Sequence, residues 1–123
     1  MQPPPPQLVL AFLDDTTLEL HPSREAACAE YEGVDVESGA VRFYDAKGSA
    51  LEPRFVVPNK TSHVLGMKWV RSGTYELVPS AASGQHGFTT AMRETVALGP
   101  NTWFEDLGEL KAWLSSQGVA VET

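Results

Sequence analysis

The chain has 123 residues, 42% hydrophobic and 20% charged, a balance that suits one globular domain with a single modest core. Its lone cysteine, Cys28, excludes an internal disulfide, and the net charge of −7 disfavours binding to nucleic-acid phosphates or anionic membranes. The charge is unevenly placed. Between Asp14 and Glu37 lie eight acids (Asp14, Asp15, Glu19, Glu25, Glu30, Glu32, Asp35 and Glu37) against one base, Arg24, and elsewhere acids and bases balance.

The start, MQPPPPQLVLAFLDD, has no basic region, and its apolar run Leu8–Leu13 is too short for a signal or membrane helix, so a cytoplasmic protein is expected. Residues 1–6 read as an extended proline leader, 7–118 as a single domain and 119–123 as a tail. Gln7–Leu13 is apolar enough for a central strand. Asp14-Asp15-Thr16 supplies a turn, and Thr17–His21 alternates Leu18 and Leu20 against Glu19 as a half-buried return strand. In HPSREAACAEYEG, Ser23 is a natural N-cap, Glu25 suits the positive end of the helix dipole, and Gly33 is placed to end the helix. Ala26, Ala27 and Tyr31, with Cys28 nearby, form its inward stripe, with Glu30 and Glu32 pointing out.

Two hairpins are expected next. In AVRFYDAKGSALEPRFVV, Val41 and Phe43 oppose Arg42 and Tyr44, and Asp45-Ala46-Lys47-Gly48 turns the chain. Pro53 cannot donate to a ladder, which makes Leu51–Val57 an edge strand or one bulged at Pro53. VLGMKWVRSGTYELV reads as the second hairpin, with Ser72-Gly73 as a two-residue loop and Trp69 and Tyr75 on facing arms. Ser80–Gly87 reads as a mobile loop, Thr89–Leu98 as a helix capped by Thr89 or Thr90, and Asp106–Gly118 as a final helix opened by an Asp106/Glu109 capping box. The resulting class is α+β: a mostly antiparallel sheet of about five or six strands with two or three helices packed on it, those of Ser23–Glu32 and the C-terminal third covering a face.

No catalytic residue, metal ligand or cofactor emerges from the motifs. His21, His63 and His86 are scattered, without the spacing of a metal site. Cys28 lies on an alanine-rich helix face, where a thiol acts as a small apolar filler. Asp14-Asp15 reads as a solvated turn rather than a catalytic pair. The aromatic residues read as core and lid, with Trp103 the exception placed to meet a partner. The acidic stretch is the other partner-binding candidate, through Asp14, Asp15, Glu30, Glu32, Asp35 and Glu37.

The acidic helix followed by EGVDVESGAVRFYDAKGSALEP, together with the late NTWFEDLGELKAWLSSQG, resembles small cytosolic immunity proteins of bacterial polymorphic-toxin and contact-delivered effector systems. The likeness spans most of Leu8–Gly118 and is one of element order. It implies a non-enzymatic protein that neutralises one cognate toxin by direct contact, its acidic surface meeting a basic one. Two alternatives stay open: a ligand-binding or enzymatic domain with a pocket near His63, Tyr75 or His86, and an acidic mimic of nucleic acid that inhibits a nuclease or repressor.

Overall fold

A computed structural model describes residues 3–81 and 85–122, with the backbone alone at 85 and 86. The chain folds as an α+β protein. Strand β1 (Val9–Leu13) runs down the middle of a six-stranded sheet, and Thr16, with φ of 69°, turns it into β2 (Thr17–His21). Asp15 closes that turn by accepting the Thr17 amide on its carboxylate at 3.0 Å. Helix α1 (Arg24–Glu30) opens on Ser23, whose hydroxyl accepts the Ala26 amide at 3.1 Å. Gly33 does not end this helix. Tyr31 is the C-cap, and Gly33 instead begins a short helix α2 (Gly33–Glu37), across the stretch expected to run straight on into the first hairpin.

The first hairpin forms as expected between β3 (Val41–Asp45) and β4 (Ala50–Val57), with Gly48 at φ of 82°. Two ladder pairs join them, Phe43 to Leu51 and Tyr44 to Ala50, and pairing stops short of Pro53. From there β4 is held by β7 (Thr74–Pro79), in register from Leu51 opposite Pro79. The irregularity lies between Phe55 and Val57, not at Pro53. The Pro53 ring is tolerated because the ladder on one side has ended. On the other side its partner Leu77 turns its polar groups outward, its carbonyl accepting from Arg24 at 3.4 Å and its backbone hydrogen-bonding Cys28. Helix α1 thereby covers what would be an open sheet edge.

The second hairpin differs from expectation. Strand β5 (Lys60–Val64) pairs with β6 (Met67–Arg71) across a Leu65-Gly66 loop, as a separate two-stranded sheet. Ser72-Gly73 is therefore no hairpin loop; it leads the chain back into the main sheet as β7. Helix α3 (Gln85–Glu94) starts before Thr89 and ends before Val96. Thr95 donates its hydroxyl to the Ala91 carbonyl at 2.7 Å, and the chain then leaves the helix to form β8 (Ala97–Leu98), the strand parallel to β2. Of the loop expected at Ser80–Gly87, residues 82–84 lie outside the described residues, and 85–87 belong to α3. Helix α4 (Leu107–Ser116) is capped as read: the Asp106 carboxylate accepts the Glu109 amide at 2.8 Å, and Gly118 follows at φ of 82°.

The sheet order is β7-β4-β3-β1-β2-β8, antiparallel except at β8. Helices cover both faces rather than one, because the buried central strand β1 is apolar on both sides. Leu8, Leu10, Phe12, Leu18 and Leu20 pack against Phe88, Met92, Leu110 and Leu114 of α3 and α4. Val9, Ala11, Phe43 and Leu77 pack on the other face against Ala27 and Val36 of α1 and α2. Ala27 is fully buried, and the small residues of α1 let it sit close to the sheet. Val119 and Val121, in the segment set apart as a tail, enter the α3–α4 core. Each fully buried leucine contributes roughly 1.5–3 kcal/mol of apolar burial. Among the described residues no helix is long and apolar enough to cross a membrane.

Candidate functional site

The acids of the Asp14–Glu37 stretch gather on the α1–α2 side. Asp14, Asp15, Glu30, Glu32, Asp35 and Glu37 are all exposed. Glu30 ends α1, Glu32 is the N-cap of α2, and Asp35 and Glu37 ride on α2. The β1–β2 turn joins them at the far end, where the Asp14 amide donates to the Ala40 carbonyl just after α2, at 3.0 Å. Among the described residues the single salt bridge is Arg54 to Glu76, on β4 and β7, so these six carboxylates have no cation of their own.

Trp103 is not part of that surface. Asn101 accepts the amides of Trp103 and Phe104 on one side-chain oxygen, at 2.9 and 2.7 Å, and folds this segment onto α4. Trp103 becomes half-buried against the α3–α4 core, across the sheet from the acidic helices. The sheet lies between it and the other six candidates.

Sequence reasoning missed the group that links β2 to α1. The Tyr31 hydroxyl donates to Glu19 Oε1 at 2.6 Å, which leaves His21 Nε2, 2.7 Å from the same oxygen, to donate to it. The His21 and Tyr31 rings meet edge to face at 5.2 Å. Burial lowers the His21 pKa against the pull of Glu19 and Glu30, and burial plus the hydrogen bond to Glu19 raise that of Tyr31 far above the ordinary phenol value. Tyr75 donates to the Tyr31 carbonyl at 2.9 Å, and burial raises its pKa as well. The Cys28 thiol is likewise pushed up by burial, which opposes the thiolate form a nucleophile needs. These contacts tie α1 to the sheet.

The larger omission is the β5–β6 arm. Nearly every side chain in it is exposed, including Val64, Leu65, Met67, Trp69 and Val70. Trp69 and Tyr75, read as core and lid, part company: Tyr75 is buried in the α1–α2 core while Trp69 is 57% exposed. The register puts Lys60, Ser62, Val64, Met67, Trp69 and Arg71 on one face of the arm. The arm is basic as well as apolar, with Lys60, His63, Lys68 and Arg71 and no acid between residues 60 and 71. A signal was present in Leu65-Gly66 between Val64 and Met67, but Ser72-Gly73 competed with it for the same strand.

The arm has a built root. The Asn59 side chain donates to the Gly33 carbonyl at 3.0 Å and accepts the Gly73 amide at 2.8 Å, fastening both ends of the arm to the start of α2. Beside it lies a cleft of about 400 Å³ lined by Ala29, Glu30, Tyr31, Glu32 and Tyr75 among others. A second cleft, of about 460 Å³, opens between Arg24, Cys28 and Leu77. Among the described residues no three His, Cys, Asp or Glu side chains are grouped to hold a metal ion.

No protein-family model, curated protein or solved structure matches this chain. What fold and surface define together is an α+β domain with a carboxylate-rich helical layer and a projecting β arm.

Proposed function

We propose that this chain is a non-enzymatic binding protein that neutralises a cognate toxin by direct contact in the cytosol of the producing cell. The observation that supports this reading is the set of six exposed carboxylates on α1, α2 and the β1–β2 turn, which have no cation of their own among the described residues. Such a surface accelerates encounter with a basic partner, while apolar anchors supply most of the affinity. Of the groups named for the pocket alternative, Tyr75 lines the cleft of about 400 Å³, but His63 projects on the arm and the side chain of His86 lies outside the described residues.

The test pairs this chain with the C-terminal domain encoded by the gene beside its own. Capture of that domain, and rescue of cells expressing it, are expected. Association should slow with added salt, and by about tenfold or more at low salt when Glu30, Glu32, Asp35 and Glu37 are all changed to Lys. A rate indifferent to both changes rules out the acidic layer as the docking face.

A further inference from the structure

Among the described residues nothing covers the β5–β6 arm. A two-stranded hairpin exposed on both faces is marginal in water, and this one carries five exposed large apolar side chains. Its turn is odd in a telling way. Leu65 sits at φ of 52°, in the left-handed region where Asn or Gly is favoured, and is 97% exposed. An exposed leucine in a backbone conformation it disfavours is costly to a monomer on both counts, and such strain persists where a function retains it.

We propose that the arm is a dimerisation element that lies on the acidic α1–α2 layer of a second copy, each copy giving its arm and receiving the other's. The argument for a second copy is charge complementarity carried by one chain. Residues 60–71 hold four basic side chains and no acid, while residues 14–37 hold eight acids and one base. Among the described residues neither set makes a salt bridge inside its own molecule. The face that bears Val64, Met67 and Trp69 also bears Lys60 and Arg71, so one surface offers apolar and cationic groups together. The receiving layer matches it. The cleft of about 400 Å³ has Ala29, Tyr31 and Tyr75 for the apolar tip and Glu30 and Glu32 for the bases. Because that cleft lies at the root of the recipient's own arm, a two-fold axis that runs the arms past each other brings each tip to the other's cleft. The inference concerns this chain alone and does not rest on the toxin-neutralising reading; since the arm would cover Glu30 and Glu32, the dimer has to open before that layer meets a toxin.

Sedimentation of the purified chain, without any toxin, tests it. A concentration-dependent dimer that weakens as salt is raised is expected. Leu65→Asn improves the turn and keeps the arm while removing the apolar tip, and should weaken the dimer at least about tenfold. Glu30→Lys with Glu32→Lys, on the opposite surface, should weaken it similarly. A chain that stays monomeric at all concentrations overturns the proposal and leaves the arm to a different protein. So does a dimer that Leu65→Asn, or Glu30→Lys with Glu32→Lys, leaves as tight as before.

Discussion

Gly73 lies so close to the Val57 carbonyl that a Cβ built on it would stand 1.8 Å from the oxygen. The obstacle is backbone, which cannot swing aside as a side-chain tip can. The contact fixes where the chain leaves the arm and re-enters the sheet at Thr74, opposite Val57.

Gly73→Ala should therefore cost about 2 kcal/mol or more, in the range of overpacked sites. Urea unfolding measures it. A variant as stable as the parent would mean that the arm root is looser than this contact requires.

Asn59→Ala removes both hydrogen bonds that fasten the root and leaves the Gly33 carbonyl and Gly73 amide without them. The expected loss is about 1–3 kcal/mol. Hydrogen exchange at the Gly73 amide should accelerate with it. Unchanged exchange there would show that another group holds the amide.

His21 gives the fold a pH dependence. Its native pKa lies below the ordinary 6.5 because burial disfavours the imidazolium, and the Tyr31 hydroxyl, Glu19 and Glu30 are the groups facing it. The unfolded chain then binds more protons than the native one between the two values. The His21 contribution is fully present above pH 6.5 and is lost as pH falls through that value toward the native one. Unfolding midpoints compared between parent and His21→Gln from pH 8 to 5 isolate the effect. Parallel curves below pH 6.5 would contradict the sign.

Helix α4 offers a graded pair of changes. Asp106→Ala deletes the side chain that accepts the Glu109 amide and should cost about 1 kcal/mol. Leu110→Ala, at a fully buried position packed among β1, β2 and α3, should cost about 2–5 kcal/mol. Equal losses from the two would mean that the cap does more, or the core less, than their surroundings indicate.

The elements that matched expectation are those set by near neighbours in sequence. Ser23 and Asp106 cap helices through amides three residues on, Gly48 takes the positive φ its turn needs, and Leu18 and Leu20 alternate with Glu19 and His21. Thr89–Leu98 failed where two patterns overlap: Val96 and Leu98 suit a helical stripe as well as a strand, and pairing of Ala97 and Leu98 with β2 claimed them for the sheet. The acidic candidates were legible because charge counts need no geometry. Placing Trp103 required knowing which face of the sheet α4 covers, and no local pattern carries that.

Composition, caps, turns and alternation were enough to establish an α+β chain with a lopsided negative charge, since each depends on residues a few positions apart. The choice between Leu65-Gly66 and Ser72-Gly73 as the hairpin loop was of another kind. It was made by the approach of Gly73 to Val57, by Asn59 reaching Gly33, and by β7 joining β4, contacts whose partners lie 16 or more positions apart in the numbering. Tertiary packing alone made the arm a projection and set Trp69 in solvent, because a strand's own sequence does not say which of two available edges it will join.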